Sequence, residues 1–492
     1  MFNPFSLLFL ALLPGDANFQ KSDLHDFTQR IVPGFLENWQ VPGCVVVIVR
    51  KAEDPLILPF GIRQVGHPEK VTPDTLFPLA SCTKAFTSFL IGTAVQEDKM
   101  LWDDPVRKLL PDFQLSDPNA SQLVSLRDLL SHRTGVGSHD FLWYRAPWGM
   151  SEAIKKACRL PLEKPFRGAM QYQTVMYMAA GQALEKATAT PWKQLFEQKI
   201  ASPLGMKQLQ FTTVDYLKSK DHAAGHRRDL QLKTISVPEY DLKEPNPAGS
   251  LYLSGNDLSK WLQLLLNGGK FQEKTLLESK IFNELFQPQI AIPMDESARR
   301  FNPETRLTSY GLGWIVQDYR GRLLISHGGI IDGYRSHLTI LPEEGLAIGV
   351  LANFHASRMN IALCNQLIDH YLKLETTDWN AYYRKLMDEN VEAEMLAEQK
   401  RDQNRLKFTV SSIPQGQFAG QYENPAYGEI SVTFKDNQLL WEWGSFHCPL
   451  QHFEHNRYRI VEGLLAGMFV DFKVRNGKVT GMETFELPFA RK

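Results

Sequence analysis

Leu79-Ala80-Ser81-Cys82-Thr83-Lys84-Ala85-Phe86 is the stretch on which the fold turns. Phe77-Pro78 leads into it, and Phe86, Phe89, Leu90 and Ala94 continue it at helical spacing, so a helix is predicted to open here. Residues three apart share a helix face, which lets the Ser81 hydroxyl meet the Lys84 amine. A serine hydroxyl is a weak nucleophile until a neighbouring base takes its proton. A lysine serves as that base only where burial or a nearby cation depresses its pKa. The helix N-terminus adds backbone N–H groups and a positive dipole end, and such donors hold the oxyanion of a tetrahedral intermediate. A Ser-x-x-Lys tetrapeptide is common by chance, and a surface serine and lysine on an exposed helix is the bland alternative.

The surrounding chain narrows the choice. Its 492 residues exceed one typical domain, and 43% hydrophobic against 22% charged residues can build a large core. A formal net charge of −1 argues against a nucleic-acid partner. Cys44, Cys82, Cys158, Cys364 and Cys448 are odd in number and widely spaced, so they indicate neither a disulfide framework nor a zinc cluster. His132 and His139 lack metal-ligand spacing, and no phosphate-cradling glycine loop is present; no metal or cofactor is called for. The apolar run Phe5–Leu13, followed by Pro14-Gly15-Asp16-Ala17, reads as a signal peptide over residues 1–17 and implies export to a periplasm or medium. No Lys or Arg precedes the run, so an apolar segment docked on a cytoplasmic protein stays open. No stretch reaches the length of an integral membrane span.

Leu24 to Trp39 has helical periodicity interrupted at Pro33-Gly34, and Cys44–Val49 reads as a buried strand. Ser125-Leu126-Arg127-Asp128 carries a capping box. Ser254 starts a helix with Leu258, Trp261, Leu262 and Leu265 on one face. Late in the chain Leu323–Ile325, Ser336–Leu341 and Leu346–Leu351 are strand candidates, the last two joined by the turn Pro342-Glu343-Glu344-Gly345. Ile361 to Leu372 is a helix behind them. The predicted class is α+β: one antiparallel sheet shared by both ends of the unit, flanked by helices, with a helical subdomain between. Residues 376–406, rich in charge, read as a solvent-exposed linker helix. Residues 407–492 show turn signals about every ten residues, among them Asp436-Asn437 and Asn476-Gly477, and predict a small all-β barrel or sandwich.

Several stretches together resemble the serine β-lactamase and penicillin-binding-protein superfamily, in its branch of class C β-lactamases, D-aminopeptidases and esterases. They are Leu79–Phe86, Leu101-Trp102-Asp103-Asp104-Pro105-Val106, Leu126–Gly135, Pro203-Leu204-Gly205-Met206, Pro247-Ala248-Gly249 and Tyr310-Gly311-Leu312-Gly313-Trp314. The resemblance runs from about Phe35 to Tyr371 and assigns residues 18–375 to a hydrolase domain. It implies Ser81 as nucleophile, Lys84 as its activator, and Tyr172 of Tyr172-Gln173-Thr174 as the second proton carrier, provided flanking cations stabilise its phenolate. Thr174 stands where the family has an asparagine; one hydroxyl replaces an amide that donates and accepts at once, which disfavours β-lactams. His327-Gly328-Gly329 stands where the family has Lys-Thr-Gly or His-x-Gly. The resemblance then pairs the backbone N–H of Ile330 with that of Ser81 as an oxyanion hole. His327 is charged only below its pKa, near 6.5 when unperturbed, and Arg335 is a candidate substitute anchor for a substrate carboxylate. His132 belongs to a stretch associated with the fold. Residues 418–428 resemble the lipocalin-like barrel appended to some of these enzymes, as scaffold, oligomer contact or ligand site.

The implied activity is a serine acyl-hydrolase, with peptides bearing D-residues or related amides as leading substrates and short-chain esters or β-lactams as alternatives. A non-catalytic acyl-binding or scaffold protein, assembled as a homo-oligomer, is the alternative from another class.

Overall fold

The computed structural model describes residues 16–229, 232–406 and 408–492. The expected export signal falls almost wholly on residues 1–15, outside the described residues. An eight-stranded antiparallel sheet runs in the order Ile290–Ala291, Thr308–Tyr310, Ile315–Tyr319, Arg322–Ile331, Tyr334–Leu341, Leu346–Ala352, Gly43–Arg50, Leu56–Gly61. The first strand of the chain pairs with the last of the sheet, in the register Val47↔Gly349, so both ends of the unit share one sheet.

All eight residues of Gly43–Arg50 are buried, because both faces of the sheet are covered. Val45, Val47 and Val49 pack with Leu258, Trp261 and Leu262 of the helix Gly255–Leu266 and with the helix Thr83–Gln96. Cys44, Val46 and Ile48 face the opposite layer, made by Asp16–Trp39 and Met359–Tyr371. The unbroken β-branched run is thus the signature of a strand buried on both sides.

Two expectations are corrected. Asp16–Trp39 is one continuous helix with Pro33 inside it. Pro33 and Gly34 are exposed while Val32, Phe35 and Trp39 are buried, so the hydrogen bond lost to proline falls on the solvent side. The charged segment is the helix Trp379–Asn404, but its first turns are not solvent-exposed. Trp379, Tyr383 and Leu386 are buried, and the Trp379 indole donates to Asp369 Oδ2 at 2.7 Å. Only from Asn390 onward does the helix stand in solvent as a connector.

The C-terminal unit is a closed eight-stranded barrel, from Gly420–Asn424 to Leu487–Arg491, with Tyr422 opposite Arg491 at the closure. Asp436-Asn437 and Asn476-Gly477 have positive φ at both positions, the two-residue turn that matches the twist of a hairpin. Aromatic side chains occupy the barrel interior; Phe418 stacks on Phe472 at 4.5 Å, with Tyr422, Trp441 and Tyr458 buried around them.

Candidate active site

Ser81 sits in the single 3-10 turn Ala80–Cys82 that feeds the helix Thr83–Gln96. Ala80 before it has φ +47°, a left-handed conformation uncommon for a residue with a Cβ. The strand Arg322–Ile331 passes close behind this turn. A Cβ on Gly329 would lie 2.1 Å from Leu79 O, so only glycine fits there. Ser336 on the next strand donates to the same Leu79 carbonyl at 2.7 Å and fixes the turn against the sheet.

Lys84 is fully buried, with Nζ 3.1 Å from Ser81 Oγ and 3.0 Å from Ala248 O. Burial lowers its pKa to about 7, opposed by the Asp140 carboxylate. As a neutral amine it donates to Ala248 O and turns its lone pair to the Ser81 hydroxyl. Cys82 points away, its thiol donating to His327 O at 3.2 Å, and burial pushes it up to about 12.

Tyr172 borders the cavity with Ser81, and Lys84 Nζ lies 5.0 Å from its ring centroid. Burial pushes its phenol above the ordinary tyrosine range, an effect larger than the opposing influence of Ser81. The Lys84 amine beside the ring does not offset this burial, so Tyr172 rests as a phenol, a donor. His132 packs against it, tilted, with ring centroids 4.1 Å apart, and accepts from Gln173 N at 3.1 Å through Nδ1. The sequence placed His132 in the scaffold; in space it is the scaffold of Tyr172. Thr174 is the first residue of the helix Thr174–Thr188, 5% exposed, and borders the same cavity. Gln173 caps that helix through Oε1 to Val175 N at 2.8 Å and donates to Ser138 O at 3.0 Å.

His327 is held as one neutral tautomer. Its Nδ1 lies 2.8 Å from Gly328 O, which can only accept, so Nδ1 carries the proton and Nε2 accepts from the Tyr310 hydroxyl at 2.9 Å. Burial, with the Lys84 charge adding to it, lowers its pKa to about 3. The imidazole thus stays neutral below pH 6.5 as well, where an unperturbed histidine would take up charge.

Ile315–Tyr319 pairs with the adjoining strand only as far as Ser326, so His327 to Ile331 form a free edge along the cavity. The cavity, about 410 Å³, wraps this edge and borders Ser81, Tyr172, Thr174, His327, Gly328, Gly329 and Ile330. Arg335 lies on the other face of the sheet: its neighbour Ser336 reaches the Ser81 turn, and side chains alternate. Its guanidinium donates to His355 O at 2.6 Å, and burial lowers its pKa to about 9. It borders the far part of the cavity and is not an anchor beside Ser81.

Three participants had no site role legible in the sequence. Ala248 acts through its carbonyl, which no side-chain motif records. Asp140 and Trp143 border the cavity from a loop, Trp143 Nε1 donating to Asp140 Oδ1 at 2.8 Å. That loop is seated on the barrel: Phe141 packs on Phe485 at 5.5 Å, Trp148 on Trp443 at 5.6 Å, and His139 Nδ1 lies 3.3 Å from Tyr427 Oη. Among the described residues, no group of His, Cys, Asp or Glu could hold a metal ion, and no helix is long and apolar enough to cross a membrane.

Comparison with known proteins places this geometry. The Beta-lactamase family profile matches residues 28–373, and a domain of unknown function, DUF3471, matches residues 405–491. Unguisins hydrolase ungD′ of Aspergillus campestris is 28% identical over 437 residues, covering 84% of this chain and 78% of its own. An octameric penicillin-binding protein homologue from Pyrococcus abyssi superposes with a TM-score of 0.62 at 19% identity, over 96% of this chain and 100% of that one. The D-amino acid amidase from Ochrobactrum anthropi superposes with a TM-score of 0.58 at 22% identity, over 71% of this chain and 98% of that one.

Proposed function

Because this chain is a serine hydrolase belonging to the beta-lactamase family, we propose that Ser81 forms an acyl-enzyme with amides of D-residues, including peptides that contain them. The observation that carries the reading is the buried Lys84 amine 3.1 Å from Ser81 Oγ, its pKa lowered to about 7. Lys84 takes the Ser81 proton as Oγ attacks the carbonyl. That proton reaches the leaving nitrogen through the Tyr172 hydroxyl, which donates on one side as it accepts on the other. The N–H groups of Ser81 and Ile330 hold the oxyanion, and water then releases the acyl group from Ser81.

The substrate class is supported from two directions. Thr174 and neutral His327 replace the amide and the fixed cation that would hold a β-lactam. A hydrolase of unguisins and a D-amino acid amidase are among the proteins similar to this one. A panel of D- and L-amino-acid amides, p-nitrophenyl esters and a chromogenic cephalosporin tests it. D-amides should be turned over faster than their L-isomers and faster than the cephalosporin, and Ser81→Ala should lose ~10³-fold or more in kcat. Turnover that survives Ser81→Ala, or a cephalosporin as best substrate, refutes the reading.

A further inference from the structure

A second cavity, about 750 Å³, opens beside the catalytic one. Trp143 borders both. The loop Asn246–Gly249 separates them: Asn246 faces the second cavity, while Ala248 and Gly249 face Ser81. The Ala248 carbonyl that holds Lys84 thus belongs to the partition between the two spaces.

Trp143, Trp148, Met178 and Tyr240 bring indole, thioether and phenol to one part of the wall, and Arg145, Glu239, Asp241, Lys243 and Glu244 bring charge to the rest. Several charged groups there are paired within the protein. Arg145 reaches Asp332 at 2.9 Å and lies across the rings of Tyr144 and Tyr240. Glu244 accepts from Met150 N at 2.7 Å, and Glu239 accepts from the Tyr334 hydroxyl. The far wall comes from the barrel, as the turn Gly444-Ser445. That turn rests on the catalytic unit: a Cβ on Gly444 would stand 3.3 Å from Pro147.

We propose that this cavity is an extended subsite for the peptide part of the substrate beyond the residue that Ser81 attacks, receiving apolar and aromatic side chains against Trp143 and Trp148. The inference rests on the reading of Ser81 as a peptide-acting nucleophile. A drug-sized ligand fills ~300–1,000 Å³, so two adjoining cavities of about 410 and 750 Å³ exceed what one amino-acid amide needs. Contacts remote from the reacting bond raise kcat/KM when they are used in the transition state. The barrel supplies a wall of the peptide site, and the enzyme is an oligopeptide hydrolase more than a single-residue amidase.

The experiment uses the full chain with a single D-phenylalanine amide and matched apolar tetrapeptides extended to either side of the same bond. One tetrapeptide should exceed the short amide in kcat/KM by ~10-fold or more. Ser445→Trp fills the cavity from an exposed turn, and Lys243→Trp fills it from the opposite wall. Each should reduce the ratio of long-substrate to short-substrate kcat/KM at least tenfold. Equal rates for short and long amides, with a ratio unmoved in both variants, overturn the subsite and leave the proposed function standing. Absence of turnover for every length overturns both.

Discussion

The two sides of the catalytic cavity are built by different means. On one side the Ser81 turn and the strand that carries His327 are locked by backbone contact, with Gly329 against Leu79 O and Ser336 donating to the same carbonyl. On the other, the loop that brings Asp140 and Trp143 to the cavity is held by side chains packed on a separate barrel. The first side holds the nucleophile and tolerates little. The second, beyond the Asp140 carboxylate that acts on Lys84, sets what reaches it, and rings packed at 5–6 Å can be exchanged without unmaking the nucleophile. In a hydrolase fold the reaction and the substrate choice thereby become separable.

The largest expected effect lies on the chemical side. Lys84→Met removes the base and should reduce kcat by ~10³-fold or more. The same change should raise thermal stability. In the native protein the amine has a pKa of about 7 against 10.5 when solvated. Between those values the unfolded chain binds a proton that the folded one does not, so wild-type stability falls as pH drops from about 10.5 to about 7. The Tm advantage of the variant should widen over that interval and then level off. A Tm lower than wild type at pH 7 would mean that the Lys84 contacts to Ser81 and Ala248 outweigh its desolvation.

What was legible in the sequence follows the same division. Ser81, Lys84 and Tyr172 could be found because a turn of helix or a tripeptide fixes their chemistry at constant spacing. The sheet could be found because a strand buried on both faces must be apolar throughout, and the barrel because its hairpins need turn residues. Asp140 and Trp143 could not, since their placement depends on Phe141 meeting Phe485, 344 positions later in the chain. The protonation states of Tyr172 and His327 were not legible for a related reason. Sequence names a titratable group but not its burial, and here burial decides both.

A smaller effect belongs to the barrel side. Phe141→Ala removes the ring that seats the loop between Phe446 and Phe485. A small fluorophosphonate should still label Ser81 at the wild-type rate, while kcat/KM for a peptide substrate falls ~10-fold, short of the ~10² that a 1 Å displacement of reacting groups costs. Equal loss in both assays would show that the barrel supports the nucleophile itself, and the distinction between the two sides would fail.

The smallest effect is expected at His327, and it bears on which group gives the enzyme its pH dependence. Lys84 must be neutral to accept the Ser81 proton, so kcat/KM should rise with pH along one limb centred near 7. His327 sits beside it but is held neutral by burial, with a pKa of about 3, donating to Gly328 O and accepting from Tyr310. A glutamine can offer one donor and one acceptor in its place. His327→Gln should therefore keep the single limb and its midpoint, with a change in amplitude only. A second inflection between pH 5 and 6.5 in wild type, lost in His327→Gln, would instead assign a titrating charge to the imidazole. The edge strand would then contribute charge as well as backbone to the chemical side of the cavity.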